Sequence, residues 1–204
     1  MNVMNKTTQR LLITGFDPFG GETVNPSFEA VKRLPDRIGA YVLEKLEIPT
    51  VYGTAAERVL ERARECAPDV VLCIGQAGGR EAITPEVIGI NLREGSIADN
   101  SGVLHTGEPI FADAPDAYFS TLPVRKMVDA VRRAGLSARL SYSAGAFVCN
   151  DTLYTLLHHY HGTSVRVGFI HVPFLPEQAK GEKPSMPLDD IVKALEAAIL
   201  GMQD

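Results

Sequence analysis

Apolar residues in this chain alternate between two arrangements. Dense short runs stand at residues 10–14 (RLLIT), 69–74 (DVVLCI) and 165–172 (VRVGFIHV). Runs of this length predict strands buried on both faces. Between them, apolar positions recur every three or four residues. That spacing predicts amphipathic helices over 26–34, from 54 to Pro68, over 122–134, over 149–160 and over 188–202. Asn25-Pro26 reads as the cap and first residue of the first of these helices. Thr54 and Glu57 have the spacing of a capping box, and Thr121 reads as the cap of the third helix, which Gly135 closes. Residues 41–51 carry β-type side chains, although LEKLEI fits either period. Residues 138–142 read as a further strand, and 83–91 as a loop feeding one. Residues 93–121 have little periodicity and read as a functional insertion or an oligomer contact. Residues 1–9 read as a flexible tail.

Strands and helices alternating in this way predict one α/β domain spanning 1–204, with a largely parallel sheet and helices on both faces. Sites in such folds gather at the carboxyl ends of strands. Four segments fall at such ends: residues 15–21 (GFDPFGG), 75–80 (GQAGGR), the turn before Cys149, and His171. Neither glycine-rich turn matches a dinucleotide fingerprint.

Composition adds exclusions. The chain has 204 residues, is 45% hydrophobic and carries a net charge of −5, with no basic run, which argues against general nucleic-acid binding. No stretch approaches the length of a membrane span. The polar start, MNVMNKTTQR, lacks an apolar signal core, so a cytoplasmic setting is expected. The three cysteines, Cys66, Cys73 and Cys149, have neither zinc spacing nor a disulfide pattern. Cys66 and Cys73 fall on a helix and a strand and read as packing residues.

Cys149 differs. It follows a strand and a bend of small residues, SYSAGAF, and opens a helix. There, free backbone N–H groups and the helix dipole favour a thiolate. A cysteine nucleophile needs a base, and His171, at a strand end beside Pro173, is the best placed histidine; its bland alternative is a hydrogen-bonded core residue. His158, His159 and His161 read as a solvated helix end, and His105 has no evident partner. A third group to orient the imidazole could be Glu86, Glu81 or Asp99; spacing does not choose among them. Phe16 and Phe19 either tuck beneath their loop or face a ligand.

Four segments carry a resemblance across nearly the whole chain: GFDPFGGETVNPS at 15–27, GQAGGREAITPEVIGIN at 75–91, SYSAGAFVCNDTLY at 141–154 and FIHVPFLPEQ at 169–178. In order and spacing they resemble the pyroglutamyl peptidase (pyrrolidone carboxyl peptidase) family. The resemblance implies a three-layer α/β/α sandwich and a cytosolic cysteine peptidase that needs no cofactor. It implies removal of N-terminal pyroglutamate from peptides, commonly by a homotetramer. Matched by motif, the catalytic residues are Cys149, His171 and Glu86. Phe16 and Phe19 become ring contacts, Gln76 a backbone partner of the lactam, and Thr50, Ile97, Phe147 and Val148 the rest of the pocket. The chain departs from the family pattern at Val87, Gly89 and Ser96, where members carry a basic residue, an alanine and, in some bacteria, an arginine. Two further readings stand beside it: another thiol amidohydrolase of glutaminase type, and a non-catalytic pyroglutamyl binder.

Overall fold

The computed structural model describes residues 8–179 and 183–203. Most of the expected 1–9 tail lies outside them, and Gln9 already belongs to strand β1 (Gln9–Phe16), paired with Tyr41. The glycine- and proline-rich loop after β1 leads into helix α1 (Pro26–Arg33), capped by the Asn25 side chain, which accepts from the Ser27 N–H. A short hairpin follows, β2 (Arg37–Ile38) and β3 (Tyr41–Ile48). Then come α2 (Thr54–Cys66) and β4 (Val70–Gln76). The segments β5 (Thr84–Pro85) and β6 (Ile88–Ile90) are brief. The expected loop over 93–121 contains three more short strands, β7 (Arg93–Glu94), β8 (Thr106–Glu108) and β9 (Ala117–Phe119). The chain closes with α3 (Val124–Arg133), α4 (Val148–His159), β10 (Arg166–Val172) and α5 (Leu188–Leu200).

The main sheet has the order β2-β3-β1-β4-β10-β5. Its four central strands, β3, β1, β4 and β10, are parallel; the two edge strands are antiparallel. Side chains alternate across each strand and so build two cores. Leu11, Ile13, Val70, Leu72, Ile74 and Ile170 pack under α1, α3 and α5. Leu12, Phe16, Val71, Cys73, Val167 and Phe169 pack under α2 and α4. The result is the expected α/β sandwich with helices on both faces.

Several local expectations give way to tertiary contacts. The capping box at Thr54 and Glu57 does not form. Gly53 is the cap residue of α2, at φ 71°, with no side-chain cap bond. Its N–H instead donates to the buried Asp151 carboxylate at 2.7 Å, which ties α2 to α4. Thr121 caps nothing: its hydroxyl bonds the backbone of Val167, and α3 starts behind Pro123. The expected strand at 138–142 makes only isolated parallel bridges, at Ala138 to Ile83 and Ser141 to Glu86. Pro85 has no N–H to donate, so the ladder beside it stays short. The strand expected to run to residue 51 ends at Ile48, and the chain turns so that Thr50 meets the loop after β1. Among the described residues no helix is long and apolar enough to cross a membrane.

Candidate active site

The face of the sheet under α4 sets the site. On β10, alternation sends Val167, Phe169 and then His171 to that face. On the neighbouring strand β4 it sends Val71, Cys73 and then Gly75. Register pairs His171 with Gly75 directly. Gly75 has no side chain, and the start of α4 fills the vacancy. A Cβ on Gly75 would lie 3.0 Å from the Cys149 Sγ and 2.7 Å from the Phe169 ring. The glycine therefore makes room for the thiol beside the imidazole.

Cys149 is the second residue of α4. Phe147 occupies the cap position and no side chain caps the helix. The first-turn amides have no partner within the helix and stay free for an anion. Asn150 and Asp151 anchor this turn. The Asn150 side chain accepts from Ile90 N–H and donates to the carbonyls of Ile90 and Leu92. Asp151 pairs with Arg93 at 2.6 Å.

Glu86 lies just past β5, completely buried, fixed by its backbone bond to Phe169 and the bridge to Ser141. Its Oε1 meets His171 Nδ1 at 2.7 Å and accepts from Arg80 Nη1 at 2.8 Å. Arg80 also donates to Thr84 Oγ1 and to the Ser143 carbonyl, so it links the carboxylate to the turn before Cys149. Burial opposes charge on Glu86, but the hydrogen bond and charge of His171, the Ser141 hydroxyl and Arg80 hold its carboxyl below the usual range. Burial pushes His171 below its ordinary value, against the pull of Glu86 and with help from Arg80. The buried pair is thus a carboxylate and a neutral imidazole. An ionised carboxylate only accepts, so the proton sits on Nδ1 and Nε2 keeps its lone pair.

The thiol departs from expectation. Burial pushes it up to about 12, helped by the Glu86 charge and only partly offset by Arg80. A raised thiol and a lowered imidazole both favour a neutral resting pair.

Cys149 and His171 open into a cavity of about 270 Å³. Phe16, Phe19, Thr50, Gln76, Phe147 and Arg80 line it, with Asn25, Ala144 and Gly145. The rings of Phe19 and Phe147 stand 6.0 Å apart, and Tyr52 packs edge-on against Phe147. Asp17 holds the wall: its carboxylate accepts from Thr50 N–H and its carbonyl from Asn25. Gln76 is held by Gln178, which donates to its side-chain oxygen. Two expected pocket residues lie elsewhere. Val148 is fully buried beneath the site, and Ile97 is exposed, beside Gly20 at the rim.

The remaining candidates separate cleanly. Asp99 accepts from the amides of Tyr52, Ser101 and Val103, and Glu81 is exposed. His105 stacks edge-on against Tyr52 and pairs with Glu108. His158 bonds the Tyr118 hydroxyl. Cys66 and Cys73 are buried packing residues. Among the described residues no group of three His, Cys, Asp or Glu could hold a metal ion. Sequence reasoning overlooked Arg80, Asn150 and Gln178. Arg80 closes the GQAGGR turn, a cation six residues before a carboxylate expected at the same rim.

Comparison with known proteins agrees with this geometry. The sequence pattern of the family described as pyroglutamyl peptidase matches residues 9–203. The pyrrolidone-carboxylate peptidase of Staphylococcus saprophyticus is 52% identical over 194 residues, 93% of this chain and 91% of that one. That of Lactobacillus helveticus is 50% identical over 93% of this chain and 96% of its own. The crystal structure of Bacillus amyloliquefaciens pyroglutamyl peptidase I superposes with a TM-score of 0.92 at 44% identity, covering 95% of this chain and 96% of that one. The pyrrolidone carboxyl peptidase from Thermococcus litoralis gives 0.91 at 35% identity, over 96% and 94%. The chain belongs to the pyroglutamyl peptidase family.

Proposed function

We propose that residues 1–204 act as one peptidase domain that hydrolyses the bond after an N-terminal pyroglutamyl residue, with Cys149 as nucleophile, His171 as base and acid, and Glu86 as the group that orients it. One observation carries the reading: a thiol, an imidazole and a buried carboxylate in sequence, opening into an aromatic-walled cavity with no carboxylate among its lining residues. A free N-terminal ammonium would find no counter-charge there. A lactam ring is flat and uncharged. It can lie against Phe16, Phe19 and Phe147 while backbone groups at Gln76 read its N–H and C=O. The same lack of a carboxylate disfavours glutamine as substrate, since its α-ammonium would be unpaired.

Catalysis follows from the neutral pair. Cys149 Sγ attacks the carbonyl carbon that follows the ring as His171 Nε2 takes the thiol proton, so no free thiolate is needed at rest. Glu86 stabilises the imidazolium that forms. The carbonyl oxygen becomes an oxyanion held by the first-turn amides of α4. The C–N bond then breaks, and His171 returns the proton to the leaving amine. Water, deprotonated by His171, attacks the thioester, releasing pyroglutamate and restoring the thiol. Thr50 completes the pocket wall, Val148 supports it from below, and Ile97 closes the rim. No step calls for a cofactor. The homotetrameric assembly and the cytoplasmic setting rest on family resemblance.

The test compares a pyroglutamyl-aryl amide with the prolyl-aryl amide, which lacks the lactam carbonyl and carries a charged amine. The protein is expected to release the arylamine from the first and not the second. Equal turnover of both, or none of the first, removes the proposal.

A further inference from the structure

A second cavity, about 390 Å³, adjoins the first. Arg80 lines both, and Ser143, in the second, is followed in the chain by Ala144, in the first. Its wall is basic: Arg80 and Arg139 contribute, together with Ser141, Tyr142 and Ser143, and no acidic side chain lines it. Arg80 is committed to Glu86. Arg139 is exposed and has no ion-pair partner among the described residues, while its backbone N–H is fixed to the Ile83 carbonyl. Tyr142 is 63% exposed, a large aromatic surface turned to solvent at the same place. The protein as a whole is acidic, at −5, so a basic hollow touching the catalytic cavity is a local departure.

Its position relative to the scissile bond gives it a use. The shared Arg80 and the Ser143–Ala144 junction join the cavity holding Cys149 to the hollow holding Tyr142 and Arg139, so a substrate whose ring lies among Phe16, Phe19 and Phe147 has that hollow as the neighbouring space for its next residue. We propose that this hollow is the subsite for the residue after pyroglutamate, and that it favours a carboxylate there through Arg139. The inference rests on the peptidase reading above. The carboxylate could be an acidic side chain or the free chain terminus of a dipeptide; both present the same group to the guanidinium.

Four substrates separate these cases: pyroglutamyl-aspartyl amide, pyroglutamyl-alanine with its free carboxylate, pyroglutamyl-alanyl amide and pyroglutamyl-lysyl amide. Each kcat/KM is divided by that for the alanyl amide in the same enzyme, so any general loss in a variant cancels. The wild-type protein should favour a carboxylate substrate about threefold, the scale of one exposed charge pair, and disfavour lysine. Preference for the aspartyl amide alone assigns the side chain; preference for free alanine alone assigns the terminus; both are within the proposal. Arg139→Glu should reverse the order, and added salt should flatten it. Equal ratios in the wild-type protein, or ratios unchanged in Arg139→Glu, overturn the subsite. Absence of turnover on all four and on the aryl amide overturns the peptidase reading itself, a result distinct from equal ratios.

Discussion

At Cys149 two physical effects compete. The start of α4 favours a thiolate; removal of the sulfur from water and the nearby charge of Glu86 oppose it. The second pair prevails, and the thiol is pushed up to about 12. The helix start is visible in the sequence; the burial and the Glu86 charge that oppose a thiolate arise only from tertiary contacts. The consequence is measurable. Ultraviolet thiolate absorbance, taken as the difference between the wild-type protein and Cys149→Ser, should show no thiolate at neutral pH. Activity should nevertheless be high there, because His171, held below its ordinary value, is already neutral and ready to accept the proton. A full thiolate signal at neutral pH would replace the neutral pair with a preformed ion pair.

At the level of elements, the site depends on how closely α4 approaches the end of β4. Gly75 permits that approach. Gly75→Ala would place a methyl group 2.7 Å from the Phe169 ring and 3.0 Å from Cys149 Sγ. Overpacking of this kind costs about 1–3 kcal/mol, so the protein should still fold. Displacing the thiol by about 1 Å should lower kcat about a hundredfold. Paired urea titration and steady-state kinetics check both parts, and near-normal kcat would mean that the thiol does not need this position. The periodicity of α4 and the run of β4 were legible in the sequence, as was the gathering of motifs at strand ends. Their register was not, because the pairing of His171 with Gly75 depends on which strands become neighbours. Local capping signals failed for the same kind of reason: at Gly53 and Thr121, partners far along the chain, Asp151 and Val167, took the hydrogen bonds. A Cβ on Gly89 would lie 3.2 Å from the Leu153 side chain and from the Tyr154 backbone, so α4 also packs tightly against β6.

Across the whole molecule, the candidate catalytic residues gather at one side of the parallel core, on β10, just past β5 and at the start of α4, and their titration becomes part of global stability. His171 has a lowered pKa in the folded state, so the unfolded chain binds more protons as pH falls through the ordinary histidine value of about 6.5. Glu86 is also lowered, and its contribution is present above the ordinary glutamate value of about 4.3 and lost as pH falls through its folded value. Both signs agree: stability is highest above about pH 6.5 and falls in two stages on acidification. Urea midpoints across this range should show the decline, with the upper stage missing in His171→Asn; an unchanged upper stage in that variant would assign it to other groups. The fold class itself was readable from alternating strands and helices. The Glu86–Arg80 contact was not, since periodicity does not reveal which carboxylate a half-buried arginine will meet.

The proposed mechanism requires Cys149 to carry the pyroglutamyl group between the two halves of the reaction. Acid quenching during turnover of a pyroglutamyl ester, followed by mass spectrometry of the peptides, tests it directly. A pyroglutamyl thioester is expected on the peptide containing Cys149, and none on those containing Cys66 or Cys73. An adduct on another residue, or full turnover by Cys149→Ala, would contradict it.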